Sequence, residues 1–552
     1  MRPAPRGALW VVGLALACVA APVAARQAAA VGTGGMVSSA HPLATEAGLR
    51  ILARGGNAFD AAVAVAAALN VVEPMMSGMG GYGTILVYDA AEGRSRFLNS
   101  SGRIPRGVDS NAYRSPTPGF LENRRGAKAV STPGNVNAWA ALAEHGRLAW
   151  ADLFQPAIGL AEDGYILDER IAGLIAAGFD EFPSHAQAFY GRSGEPLGSG
   201  DRLFQMDLGR SLRLLAQEGP GAFHGGSLGE AVHGEMQARG GFLTLEDLAE
   251  NEAEWWDPIE IRYRGHRVVT ASPPANAFPA LVRLGIMSRF DAAALGHNTA
   301  DYLHTFAEVT KHAFWTRLRW AGDPEVAPPP LDELLSEGYW VRQAATIDPQ
   351  RARDFEPPGV VGSMGENTTH YVVADRWGNV VSATQTLGNL FGARIMPPGT
   401  GIWLNNSLAY STFEPAGNPM DAHAGRRKLS GDVPLFVLDD QGRPVVAVGT
   451  PGGHTIGQTV PQIVMNILDF GMDIQQAIAA PRVAFAEPNT LMVEAGIPEA
   501  VRAELERRGH QVRLRGGIGN AHGLAIRWGT DGRPETFTGG ADPRGAGLAR
   551  GH

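Results

Sequence analysis

The sequence predicts an α+β fold of stacked β-sheets covered by helices. Three observations point to it. Helical and strand patterns fall in separate runs rather than in βαβ alternation: residues 135–250 are mainly helical, and short strands crowd the stretch beyond residue 365. The segment AFDAAVAVAAALNVV from Ala58 is apolar on every side, as in a helix wholly surrounded by protein. The runs His370–Asp375 and Val380–Thr386 flank the glycine-containing turn DRWGN, which reads as a hairpin.

The elements follow in order. Arg2 and Arg6 precede an apolar run from Ala8 to Ala21 and a small-residue cleavage site at Val23-Ala24-Ala25, so residues 1–25 read as a signal peptide. The mature chain then starts near Arg26 and is periplasmic or secreted. A lipoprotein anchored through Cys18 is the weaker reading, because Ala15 stands where the usual leucine would. His41 to Gly56 reads as a helix closed by Gly-Gly, and Asn57 caps the next one. SGMGGYG leads into a strand at Thr84–Tyr88. WADLFQPAIGLAEDG is helical with an early proline. Tyr263–Ala271 is a strand region before the turn SPPANAF, and Thr299 to Ala321 is a helix. Past a polar, breaker-rich segment ending in GSMGEN come the hairpin and strands at GIWLNN, PLFVLDD and PVVAVGT. Helices follow from Thr455 to Phe470 and Ile474 to Ala480.

Composition excludes several functions. The 552 residues are 44% apolar and carry a formal charge of −9, which becomes −11 once Arg2 and Arg6 leave with the leader. No basic block offers a footprint for nucleic acid. Cys18 is the only cysteine, so no intrachain disulfide or cysteine-ligated metal is possible. No later apolar run is long enough to span a membrane. Zinc-protease, P-loop and EF-hand motifs are absent. A GxSxG string at Gly225–Gly229 lacks the strand that a nucleophile elbow requires, and reads as a turn before the helix EAVHGEMQ.

Two segments carry chemistry. In Asn367-Thr368-Thr369-His370-Tyr371, two threonines entering a strand are ordinary β-branched residues. A threonine there is also a nucleophile if the chain is cut before it, because its freed α-amine, with a reference pKa of about 7.7–8.0, is a base for its own hydroxyl. In Gly449-Thr450-Pro451-Gly452-Gly453, between a strand and a helix, backbone N–H groups can bind an oxyanion; a structural turn explains the loop equally well.

TTHYVVADRWGNVVSATQT, GIWLNN and GTPGG together resemble the small subunit of the γ-glutamyltransferase (glutathione hydrolase) family of N-terminal nucleophile hydrolases. HPLATEAGLRILARGGNAFDAAVAVAAALNVVEPMMSGMGG, RLAWADLFQPAIGLAEDGY, GGFLTLEDL and SPPANAF resemble the large subunit, and GGADPRGAG the family's terminus. The resemblance implies a four-layer αββα sandwich made as a proenzyme. It implies cleavage between Asn367 and Thr368 into a large subunit, 26–367, and a small one, 368–552. It further implies Thr368 as nucleophile, Thr386 as its hydrogen-bond partner, Gly452 and Gly453 as oxyanion hole, and no metal or organic cofactor. The partners implied are a glutathione-like amide and water or an amine acceptor.

Departures fall where the family holds glutamate. Gly388 replaces an Asn; Ser407 and Tyr410 stand where a Gln or Glu and an acid grip the substrate; Lys428-Leu429-Ser430-Gly431-Asp432 replaces PLSSM; and Arg103 is shifted relative to Pro105 in Ser101-Gly102-Arg103-Ile104-Pro105. Arg103, Ser407, Tyr410, Ser430 and Gly431 are therefore the candidate substrate contacts. Hydrolysis or transfer of γ-glutamyl groups is the leading expectation. An acylase acting on a non-glutamyl amide, or a binding relative that never matures, are the alternatives. Replacing Tyr410 by Asp together with Gly388 by Asn is expected to restore the glutamate-amine contact.

Overall fold

The computed structural model describes residues 28–117, 120–359 and 367–552. The expected leader with Cys18, and all of GSMGEN but Asn367, lie outside them. Two seven-stranded sheets form the centre. In space, the first runs Leu548–Gly551, Gly35–Ser39, Thr369–Asp375, Val380–Thr386, Tyr82–Asp89, Arg94–Ser100, Glu254–Trp256. The second runs Ala30–Gly32, Pro534–Ala541, His522–Trp528, Pro444–Gly449, Leu435–Leu438, His266–Thr270, Ile259–Tyr263. Every neighbouring pair in both sheets is antiparallel.

Alternation along the strands sorts the apolar side chains into three layers of core. Tyr371, Val373, Val381, Ala383, Ile85 and Val87 point away from the second sheet and meet the helices Pro42–Ala53 and Ala58–Val72. Val372, Ala374, Val380, Leu86 and Tyr88 point the other way, and meet Phe436, Leu438, Ala447, Leu524 and Phe537 between the sheets. Leu435, Val437, Val446 and Val448 pack on the helices Phe278–Met287, Ala300–Trp320 and Ile456–Leu468 beyond the second sheet. The result is the expected αββα sandwich. All fifteen residues of Ala58–Val72 are buried, which explains why its sequence has no polar face.

Local chemistry fixes the ends of these elements. Asn57 accepts from the N–H groups of Phe59 and Asp60, the N-cap that the sequence suggested, and the Asp60 carboxylate accepts from the Asn57 N–H to complete a capping box. The Asp375 carboxylate closes the hairpin turn by accepting from the Trp377 and Asn379 N–H groups, and it also accepts from the Ala58 N–H at 2.8 Å. One buried side chain thus ties the central hairpin to the central helix. Both sheets take strands from either side of position 367, so each sheet is built jointly by the two halves of the chain.

Three expectations need correction. GIWLNN is not a strand: apart from a bridge between Leu404 and Gly80, its backbone lacks a partner strand. The Asn405 amide ties it instead to Gly80 and Ser131. The Tyr263–Ala271 region is half of a hairpin whose turn, Arg264-Gly265, has φ of 49° and 86°. Within 135–250 the helices are interrupted by two small ribbons, Tyr165–Ile166 with Arg202–Leu203 and Gly191–Arg192 with Glu195–Pro196.

Phe436, fully buried between the sheets, tests this packing. Phe436→Ala is expected to destabilise the fold by about 3–5 kcal/mol, seen as a lower denaturant midpoint at unchanged slope. A change below about 1 kcal/mol would contradict the inter-sheet assignment.

Candidate active site

Strand register assembles the site. Thr369 pairs with Gln385, so the next pair outward sets Thr368 opposite Thr386. Both share the parity of Val372 and Val380, and so face between the sheets at their edge. One layer deeper lies His370, whose Nδ1 is 2.8 Å from Thr384 Oγ1. A Cβ on Gly449 would sit 2.3 Å from the His370 ring, so this glycine lets the second sheet close over the imidazole. Burial holds His370 well below its ordinary pKa, hence neutral. On the opposite face Thr369 donates to Glu73 at 2.9 Å, and Arg170 pairs with the other Glu73 oxygen.

Thr368 is buried, and its Oγ1 contacts the carbonyl oxygen of Asn367, the residue whose peptide bond it would cut. Thr386 Oγ1 lies 3.2 Å from Thr368 Oγ1, donates to the Asn367 carbonyl at 2.9 Å, and accepts from the Gly388 N–H at 2.8 Å. This positions one hydroxyl at a carbonyl polarised by another. Gly449 ends its strand and carries the chain into Gly452 and Gly453, whose φ values of 133° and 57° favour glycine. Neither N–H donates a hydrogen bond among the described residues, so both are free for an oxyanion.

Thr368, Thr386, Asn367, Gly453, Gly388, Tyr410 and Gly431 line one cleft. The other candidate contacts stand outside its lining. Gly452 is adjacent to Gly453. Ser430 is buried beneath the cleft, between Asp432 and Thr84. Ser407 is buried against Ser131. Arg103 pairs with Glu254 at 2.8 Å and donates to the Gly425 carbonyl. Tyr410 donates to Asn389 Oδ1 at 2.6 Å. Gly388 has φ of 98°, and a Cβ there would sit 2.3 Å from Asn406 Oδ1. The expected Gly388→Asn exchange is thus sterically blocked, leaving Tyr410 as the workable half of that pair.

Sequence reasoning did not single out Arg283, Arg317, Asn276, Tyr82, His454, Lys428 or Asp432, which also line the cleft. Lys428 and Asp432 stand in the altered KLSGD motif and Asn276 in SPPANAF, so those segments were a signal. Burial, with the nearby Arg317 charge, pulls Lys428 down to about 7. Burial pushes Asp432 up to about 7, against the hydrogen bond from Ser430.

Elsewhere, Ser227 of the GxSxG string begins the helix Ser227–Ala238 with no strand before it. His304, Glu308 and His510 form the one group of potential metal ligands among the described residues. The Lys311 ammonium already occupies Glu308 at 2.8 Å, and the two imidazoles bond each other.

Two antiparallel sheets between helical layers, with a threonine heading a central strand, are the architecture of N-terminal nucleophile hydrolases. The γ-glutamyltranspeptidase family model matches residues 44–551, and the chain belongs to that enzyme family. It is 37% identical to the acylase ACY 1 proenzyme of Pseudomonas sp. (strain V22), covering 94% of this chain and 96% of the relative. It is 34% identical to the glutathione hydrolase proenzyme of Pseudomonas sp. (strain A14), covering 85% and 84%. Among solved structures, cephalosporin acylase from Bacillus halodurans superposes with a TM-score of 0.88 at 30% identity, covering 98% of this chain and 99% of that one. No helix among the described residues is long and apolar enough to cross a membrane.

Thr386→Val removes the hydroxyl that meets both Thr368 and the Asn367 carbonyl. At about 1–1.5 kcal/mol for each of two hydrogen bonds, chain cleavage is expected to slow roughly 30- to 150-fold. A time course of fragment appearance on a denaturing gel measures it, with Thr386→Ser retaining most of the rate.

Proposed function

We propose that the chain is a self-processing amidohydrolase or acyltransferase whose nucleophile is Thr368, acting on an amide whose acyl group is not γ-glutamyl. The observation that carries the reading is the Thr368 hydroxyl set against the Asn367 carbonyl inside the cleft. In maturation, Oγ1 attacks the Asn367 carbonyl carbon, the C–N bond breaks as the proton passes to the leaving nitrogen, and water hydrolyses the resulting ester. Residues 368–552 then begin with a free α-amine. That amine takes the Oγ1 proton when the hydroxyl attacks substrate, and the Gly452 and Gly453 N–H groups hold the oxyanion. Loss of the amine product leaves an acyl-threonine, resolved by water or by another amine. The small-residue cleavage signature of the leader supports a periplasmic or secreted enzyme.

The choice of acyl group rests on the cleft. Tyr410 fills the place where the family carries an acid for the glutamate amine, and its hydroxyl is held by Asn389. Relatives named acylases cover nearly the whole chain. A γ-glutamyl substrate is the second reading, favoured by Asp432, an acid lining the same cleft. Burial pushes that carboxyl up to about 7, which leaves it a partial charge and a weak anchor for an ammonium at neutral pH.

Thr368→Ala is expected to stay as one uncut chain with no amidase activity, because the hydroxyl is used in both steps. Two fragments from that variant would remove Thr368 from the mechanism. A second measurement compares γ-glutamyl p-nitroanilide with simple acyl anilides, the latter being cleaved faster by the unaltered protein. Tyr410→Asp should raise kcat/KM for the γ-glutamyl anilide roughly 10- to 150-fold, mainly through KM, as expected for one charge-assisted bond. Efficient γ-glutamyl turnover by the unaltered protein, reduced by Tyr410→Asp, would reverse the choice of substrate.

A further inference from the structure

The hairpin that carries the two threonines is held unequally at their end. Val380–Thr386 is paired with Tyr82–Asp89 out to its last residue, Thr386 opposite Tyr82. The strand that Thr368 heads has less support. Gly35–Ser39 reaches it only from Tyr371 onward, so among the described residues Thr369 and His370 have a ladder neighbour on the hairpin side alone. Once the chain is cut before Thr368, the covalent tether on the upstream side is gone as well. A strand end of this kind frays unless side chains hold it.

A buried carboxylate holds this one. Glu73 is 1% exposed and ends the helix Ala58–Val72, and its Oε2 accepts from Thr369 Oγ1 at 2.9 Å. Its Oε1 accepts from Arg170 Nη1 at 2.9 Å, on the helix Glu169–Gly178, which supplies the partner charge that a buried acid requires. The same loop grips the other strand. The Glu73 carbonyl accepts from the Met76 N–H, and the Met76 carbonyl accepts at 2.8 Å from the N–H of Leu387, the residue after Thr386. Residues 73–76 therefore meet both strand ends, at 369 and 387, each one position from a threonine of the cleft. Neither contact involves the reacting atoms.

We propose that Glu73, acting through Thr369 and backed by Arg170, is a positioning residue for the nucleophile. It fixes the cut strand end, so that Thr368 Oγ1 and the freed α-amine keep their place opposite Thr386. The proposal rests on the reading of Thr368 as nucleophile. A hydroxyl donating to a carboxylate makes a charge-assisted bond, short and directional, and its loss lets Thr368 shift at the sheet edge while the rest of the ladder stays intact. A misplacement of about 1 Å can lower a rate roughly 100-fold. The precursor is less sensitive, because chain on both sides of the Asn367–Thr368 bond limits the motion of Thr368.

The test compares chain cleavage with turnover in Thr369→Val, which keeps the β-branched shape and removes only the hydroxyl. Cleavage into two fragments should still go to completion. The substrate is whichever of γ-glutamyl p-nitroanilide and the simple acyl anilides the wild-type protein turns over fastest. In the processed variant its kcat should fall roughly 10- to 100-fold at unchanged KM. Thr369→Ser, which restores the donor, should recover most of that loss. Arg170→Met, at a partly exposed position, should lower kcat several-fold, again without a change in KM. A wild-type kcat in processed Thr369→Val protein, a loss carried by KM, or a loss that Thr369→Ser fails to recover overturns the assignment. If Thr369→Val does not fold, the other two variants decide: an unchanged kcat in Arg170→Met, or a depressed one in Thr369→Ser, overturns it. Failure of the underlying reading looks different, as wild-type protein that stays uncut and hydrolyses none of the anilides.

Discussion

The register of one hairpin governs this molecule. Thr369–Asp375 and Val380–Thr386 lie at the centre of the first sheet, paired with each other and flanked by Gly35–Ser39 and Tyr82–Asp89. Both strands are buried over their whole length. A slip of one residue would turn every side chain to the opposite face, moving Thr368 from the inter-sheet cleft to the helical layer. The turn at Asp375 prevents that slip, since its carboxylate holds the loop N–H groups and the start of the Ala58–Val72 helix together. The reactive geometry at one end of the hairpin is therefore anchored at the other end, 7 residues away along each strand.

The second sheet completes the site through small residues. Gly449 allows contact with the His370 ring, and Gly453 in the turn beyond it lines the same cleft as Thr368. These groups come from strands distant in the sequence, so the site exists only while the sandwich is closed. Because both sheets draw strands from either side of position 367, a cut at that position leaves each piece without neighbours its own strands need. Two fragments of such a chain stay together through a shared hydrophobic core.

The cleft's chemistry follows from burial. Titratable groups taken from water without full compensation shift toward their neutral forms, and Lys428 and Asp432, both drawn toward about 7, do so from opposite directions. The lysine meets a like charge in Arg317, whereas the acid keeps the hydroxyls of Ser430 and Thr84 as donors. Lys428 and Asp432 thus set the charge of the cleft that Thr368 and Thr386 also line. Gly388 contributes by shape: its positive φ and the proximity of Asn406 and Tyr410 leave no room for a side chain.

Local periodicity and turn chemistry were sufficient in the sequence to indicate the α+β class, the helix capped at Asn57, the helix from Thr299, the hairpin around DRWGN, and the threonine at its head. Each depends on residues close together in the chain, where hydrogen-bond geometry and the two- or 3.6-residue repeat act directly. GIWLNN misled because alternation reports burial, and burial without a partner strand makes no sheet; the Asn405 side chain, acting across 274 residues on Ser131, decided that segment. Arg103 was a plausible carboxylate ligand by motif position, yet Glu254 captured it. Arg317 carried no local sign of function, since it sits in a helix whose pattern reads as core. Only tertiary structure could bring it beside Lys428 and Thr368, because the electrostatic environment of a side chain is set by neighbours through space, and those neighbours lie 51 to 111 positions apart along the chain.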